Sequence, residues 1–102
     1  MAEQDTTAML AVVKNDLGIR HNKKDSSLTT AIETAAQRLS MIGVNVIDLN
    51  DPTTETAVLL FVRHWENFQG DGERYLELFE RLANAMSHAL EYRAIAEDLG
   101  HE

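Results

Sequence analysis

Two short spacings hold the side chains best suited to chemistry. His88 and Glu91 stand three residues apart, and with Asn84 they would share one helix face, which could form part of a metal or acid–base site. His64 and Glu66 are two residues apart and diverge by about 200° around a helix, so they cannot easily share a ligand. A His-x-x-Glu pair is common by chance, and catalysis also needs a pocket and perturbed pKa values; the expectation is therefore a solvated helix surface. No serine sits in a Gly-x-Ser-x-Gly elbow, and the five glycines punctuate helix ends and loops rather than forming a phosphate cradle. The chain has no cysteine, which removes a thiolate nucleophile, a thiolate metal ligand and a disulfide framework. The chain is thus expected to be no enzyme, with no catalytic residue, no cofactor and no metal site.

The remaining chemical feature is charge. Arg20, Lys23 and Lys24, with His21 among them, form the one basic cluster and belong to a loop, in a chain of formal net charge −8. The first fifty residues contribute −1 and the rest −7, so the acidity belongs to the second half. An acidic chain is repelled by phosphate backbones and anionic lipid, which argues against simple duplex or membrane-surface binding. The longest apolar run, Ala57 to Val62, is far short of the roughly 20 residues a membrane span needs, and no signal-peptide core is present.

Four helices must position these groups. The first is expected from Thr6 or Thr7 to Leu17, capped by Asp5 or Thr6 and stopped by Gly18, with Leu10, Val13 and Leu17 on its apolar stripe and Met9 and Val12 widening it. The second starts after Asp25 as N-cap and ends at Gly43, burying Leu28, Ile32, Ala35, Leu39 and Ile42. Val44 to Asn50 reads as an extended connector that pins its valines and Leu49 to the core. Asp51-Pro52 is the clearest helix start, because Asp caps and Pro at the first position loses only an N–H that was unpaired anyway. Ala57 to Val62 is apolar on every side, so the third helix should be central, with Phe61, Trp65 and Phe68 continuing one core face. Gln69-Gly70-Asp71-Gly72 should break that helix and cap the fourth, about Glu73 to Arg93, with Tyr75, Phe79, Leu82, Met86 and Leu90 on its inner stripe. Glu77 and Arg81 stand at i, i+4 in the favourable order. The expected architecture is a single all-α domain over residues 1–102, a compact bundle of four helices. Its acidic end, 94–102, prolongs the last helix or frays.

In this order, the features resemble the small helical head–tail connector, or head-completion adaptor, proteins of long-tailed bacteriophages. Three stretches carry the resemblance, which covers nearly the whole chain: Leu17-Gly18-Ile19-Arg20-His21-Asn22 leading to Asp25 and Leu28; Ala35-Ala36-Gln37-Arg38-Leu39 with Ile42-Gly43-Val44; and Asp51-Pro52, Ala57 to Val62, the Gly/Asp-rich turn and Tyr75 to Leu82, ending near Glu91-Tyr92-Arg93. The chain departs from that pattern before the second helix, where relatives tend to carry an apolar or aromatic residue and a pair of acids and this sequence has Lys24 and Ser26-Ser27. Any partner surface there should differ accordingly.

The resemblance implies a non-enzymatic structural protein of the virion neck, assembled in the host cytoplasm. About a dozen copies would form a homo-oligomeric ring beneath the portal protein, extend the DNA channel, and offer a platform to the next neck or tail-completion protein. A closed ring needs two different patches per subunit meeting head-to-tail. The candidates are the Arg20, Lys23 and Lys24 loop with the connector around Val46 on one side, and Glu73, Glu77 and Glu80 of the fourth helix on the other. Tyr92 and Arg93 begin an acidic end that would dock on the portal. An acidic bore would let DNA pass without sticking or sequence-specific binding. The alternative is an acidic regulatory or DNA-mimic inhibitor of a nucleic-acid enzyme, which would need an unbroken line of carboxylates, whereas Arg74, Arg81 and Arg93 interrupt this one.

Overall fold

Asp51 and Pro52 open a helix as their chemistry dictates. Asp51 Oδ2 accepts from the Thr54 backbone N–H at 3.2 Å and from the Thr54 hydroxyl at 3.3 Å, and Pro52 occupies the first helical position. The computed structural model of the chain describes residues 3–44, 46, 49 and 51–89, with side chains from Thr6 onward. Its elements are α1 (Glu3–Leu17), α2 (Asp25–Met41), α3 (Pro52–Trp65), a single 3₁₀ turn (Phe68–Gly70) and α4 (Gly72–His88), an all-α bundle.

The apolar run in α3 makes it the axis of the bundle. Ala57, Val58, Phe61 and Val62 are buried, Leu59 and Leu60 are half-buried, and α3 is the one helix that packs on each of the other three. α1 contributes Met9 and Val13, α2 contributes Leu28, Ile32, Ala35 and Leu39, and α4 contributes Phe79, Ala83 and Met86. Val44 and Leu49 of the connector are buried in the same core. α1 and α2 also pack together, but α4 leans on α3 and makes no comparable contact with α1 or α2. No described helix is long and apolar enough to cross a membrane.

Helix ends depart from expectation at several points. α1 begins at Glu3, so Asp5 and Thr6 lie inside it and do not cap it. Its inner line is Met9 and Val13, while Leu10, Val12 and Leu17 sit at the edge of the core. α2 begins at Asp25 itself with Lys24 in the capping position and no side-chain cap, because the Asp25 carboxylate turns to Lys14 instead. α1 and α2 both end in Schellman turns: the N–H groups of Ile19 and Val44 reach back to the carbonyls of Lys14 and Leu39, each at 2.9 Å, with Gly18 and Gly43 at positive φ. The second of these turns leaves Ile42 outside the core stripe expected to hold it, 49% exposed beside Met41 at 77%.

The α3–α4 corner differs most. Asn67, in the left-handed conformation, ends the helix before the glycines, and Gln69 also takes a positive φ. The break leaves Phe68 half-buried and Trp65 41% exposed, so the expected core face of Phe61, Trp65 and Phe68 survives only at Phe61. Asp71 does not cap α4 with its side chain; Asn67 Oδ1 instead accepts from the Gly72 N–H at 2.9 Å. α4 stops at His88, short of Arg93, because Ala89 adopts an extended backbone. The inner stripe keeps Phe79 and Met86, centres on Ala83, and leaves Tyr75 and Leu82 half-buried; Leu90, Glu91, Tyr92, Arg93 and the 94–102 end lie outside the described residues.

Gly72 is where this corner admits no side chain. A Cβ there would stand 2.6 Å from Asn67 Oδ1, 3.2 Å from Asn67 Cα and 3.3 Å from the His64 carbonyl oxygen. G72A should therefore push the two helix ends apart and destabilise the fold by about 1–3 kcal/mol. Urea unfolding measures this, and an unchanged midpoint would show that the corner yields freely.

Candidate functional site

The polar side chains of the bundle gather at the C-terminal end of α3, where α1, α2 and α4 all have residues within reach. Arg63 donates through Nε to Asp16 Oδ2 at 2.9 Å and through Nη2 to Asp16 Oδ1 at 2.7 Å, a two-pronged bond joining α3 to α1. The same guanidinium lies over the rings of Phe68 at 5.7 Å and Tyr75 at 5.3 Å, bringing in α4. The bond to Asp16, set against a smaller cost of burial, holds the Arg63 pKa above the usual arginine value. A raised pKa on a base stabilises the fold at all pH below the unfolded value, so this contribution is lost only in strongly alkaline solution.

Three further links close the same end. The Lys24 ammonium donates to Glu66 Oε1 at 2.7 Å, the Trp65 indole N–H to Ser27 Oγ at 3.1 Å, and Lys14 to Asn22 Oδ1 at 2.8 Å. Lys14 also lies 2.8 Å from Asp25 Oδ1, a charge contact without hydrogen-bond alignment. His64 Nδ1 is 3.1 Å from the Gly72 carbonyl oxygen; an oxygen acceptor requires that nitrogen to carry the proton. His64 is thereby committed to the α3–α4 corner and Glu66 to Lys24, in keeping with their expected divergence.

This end of the bundle is a clamp in which, among the described residues, Lys14 meets Asp25, Lys24 meets Glu66 and Arg63 meets Asp16. Among the described residues no three His, Asp or Glu side chains converge as metal ligands. Asn84 and His88 are exposed on α4, as expected for a solvated face, and their proposed companion Glu91 lies outside the described residues.

The charged surface candidates sort differently. Arg20 and Lys23 are exposed on the α1–α2 loop and, among the described residues, form no ion pair. Lys24, expected to act with them, is spent on Glu66. Val46 is half-buried against the core, so the connector offers little of it to a neighbour. Glu73, Glu77 and Glu80 are exposed along α4, and Glu77 forms no ion pair with Arg81. Asn67, Asp71, Glu73, Arg74 and Glu77 line a polar hollow of about 450 Å³ at the start of α4. Tyr92 and Arg93 lie outside the described residues.

Asp16 and Arg63, which tie the bundle most firmly, carry no sequence signal: they stand 47 residues apart and belong to no motif. Asn67 was open to detection, since Asn tolerates the left-handed conformation better than most residues and followed the helical run. No protein-family model, no curated protein and no solved structure matches this chain.

The clamp has a measurable signature. D16N should cost about 1 kcal/mol, less in molar salt, because the pair is partly exposed and screened. R63K should cost a similar amount despite keeping the charge, since lysine cannot form the two-pronged bond or stack flat on Phe68 and Tyr75. Chemical unfolding of both variants checks this; a neutral R63K would mean that charge alone matters.

Proposed function

We propose that the chain is a non-enzymatic assembly subunit of the head–tail connector kind that its sequence resembles, joining identical copies head-to-tail into a ring beneath a phage portal. One observation carries the reading: exposed charges of opposite sign, in no ion pair among the described residues, stand on separate elements, Arg20 and Lys23 on the α1–α2 loop and Glu73, Glu77 and Glu80 on α4. Two different complementary patches on one subunit give a heterologous contact, which closes into a ring when the rotation permits.

Magnitudes limit what these charges do. Exposed ion pairs contribute about 0–1 kcal/mol each, so two or three of them fall well short of the roughly 8 kcal/mol that micromolar affinity requires. They set the register and rate of association, and apolar area must supply the rest. Trp65 is suited to this: it is 41% exposed and stands on the α2 start beside Ser27, next to the Lys24–Glu66 pair. Free subunits should therefore associate weakly, with the ring completed at high local concentration or on the portal. The −8 charge of each subunit, multiplied around a ring, would favour passage of DNA without adhesion.

Sedimentation and negative-stain imaging over a range of protein and salt concentrations test the reading. The parent chain should form rings that weaken with salt, R20E/K23E should lose them, and adding E73K/E77K should restore them by exchanging the two signs. Rings that form equally well with R20E/K23E would overturn the contact. A chain that stays monomeric throughout, with portal present, and instead competes with duplex DNA for a nucleic-acid enzyme would replace the connector by the DNA mimic.

A further inference from the structure

α2 and α4 rest on α3 as two walls. The start of α2 is tied to the end of α3 by Lys24 and Glu66, and the start of α4 by Gly72 and His64, so both helices run back along α3 in the same direction. Between them lies a hollow of about 570 Å³ lined by Arg38 and Met41 of α2 and by Phe79, Glu80 and Ala83 of α4. Phe61 sets the level: the Arg38 guanidinium lies 5.3 Å over its ring, and the Phe79 ring stands 5.1 Å from it. Arg38 and Glu80, the neighbour of Phe79, therefore stand at one height on opposite walls. Three residues further along each helix, a rise of about 4.5 Å, Met41 and Ala83 are level as well.

The two walls are complementary in kind. α2 presents a cation and then a large apolar side chain, Met41, which is 77% exposed with Ile42 beside it at 49%; α4 presents an anion and then a small residue at the same spacing. Arg38 and Glu80 are both exposed, and among the described residues neither is in an ion pair. A patch that carries both halves of a match is what a self-complementary two-fold contact requires. We propose that this face pairs two copies of the chain about a two-fold axis running along the hollow. Rotation about that axis keeps the helix direction and sets α2 of each copy over α4 of the other. Arg38 then meets the partner's Glu80, the same pair recurs by symmetry, and Met41 with Ile42 leaves water against the partner's Ala83. The patch is small and its ion pairs lie at the surface, so the pair dissociates with a Kd on the order of 100 μM. The contact closes at two copies and is separate from Arg20 and Lys23, so it goes beyond the ring reading and does not rest on it.

Sedimentation equilibrium of the full chain from about 10 μM to about 1 mM tests this, in the R20E/K23E background that removes the basic charges of the ring contact. That chain should pass from monomer to dimer and stop at two. M41S changes a side chain that the fold leaves exposed, and it should weaken pairing about tenfold while the circular dichroism stays unchanged. R38E and E80R should each be monomeric alone, and an equimolar mixture of the two should pair, because the mixed dimer has opposite charges at both contacts. A chain that stays monomeric to the highest concentration, M41S that pairs as well as its background, or growth past two copies would overturn the proposal. So would a mixture of folded R38E and E80R that remains monomeric.

Discussion

The burial of α3 is the constraint on which the rest of this molecule depends. A chain of 102 residues has too little interior for independent cores, so each helix must bury its apolar side against a shared surface. Ala57, Val58, Phe61 and Val62 supply that surface on successive sides of one helix, and α1, α2 and α4 each take a part of it. Phe61 is the clearest case, touching Phe79 of α4 on one side and the Arg38 guanidinium of α2 on the other. Burying such a ring contributes about 1.5–3 kcal/mol by area alone, a large share of the margin by which a small domain is stable.

Packing on a central helix does not fix the angles of the outer ones, and the polar clamp supplies what packing leaves open. The Asp16–Arg63 bond holds α1 to the end of α3, the Lys24–Glu66 and Ser27–Trp65 pairs hold the start of α2 there, and Asn67 with His64 holds the first residue of α4. All of these lie at one end. Among the described residues no such tie joins the opposite half of α2 to the body of α4, and a hollow of about 570 Å³ lies between them. The clamp also decides which charges face outward: by consuming Lys24, Arg63 and Glu66 it leaves Arg20 and Lys23 on one element and the α4 carboxylates on another.

Much of this was legible in the residues. Four helices follow from apolar periodicity, the start of α3 from Asp51-Pro52, its central place from an apolar run with no polar side, and the two Schellman ends from Gly18 and Gly43. The faults cluster where a side chain had a local and a distant partner to choose between. Asp25 is a good N-cap by type, yet its carboxylate went to Lys14, and Asp71 left the start of α4 to Asn67. Trp65 and Ile42 continued apolar stripes on paper, but they stand at the last residue of α3 and just past the end of α2, and both are exposed there. For the candidate surface, the sequence located the basic loop and the acidic helix but could not separate Lys24 from Arg20 and Lys23.

What the sequence by itself determined is therefore local: which segments are helical, which face of each is apolar, where most helices stop, and that its charge is acidic and concentrated in the second half. These depend on neighbours within one or two turns, where periodicity and capping act. Only the tertiary structure decided that Arg63 meets Asp16 from 47 residues away, that Lys24 is neutralised by Glu66, and that α2 and α4 stand apart over Phe61. The physical reason is that a charged side chain carries no record of its partner. Long-range pairing is set by which helices the core brings together, and that emerges only when all of them compete for the one surface of α3.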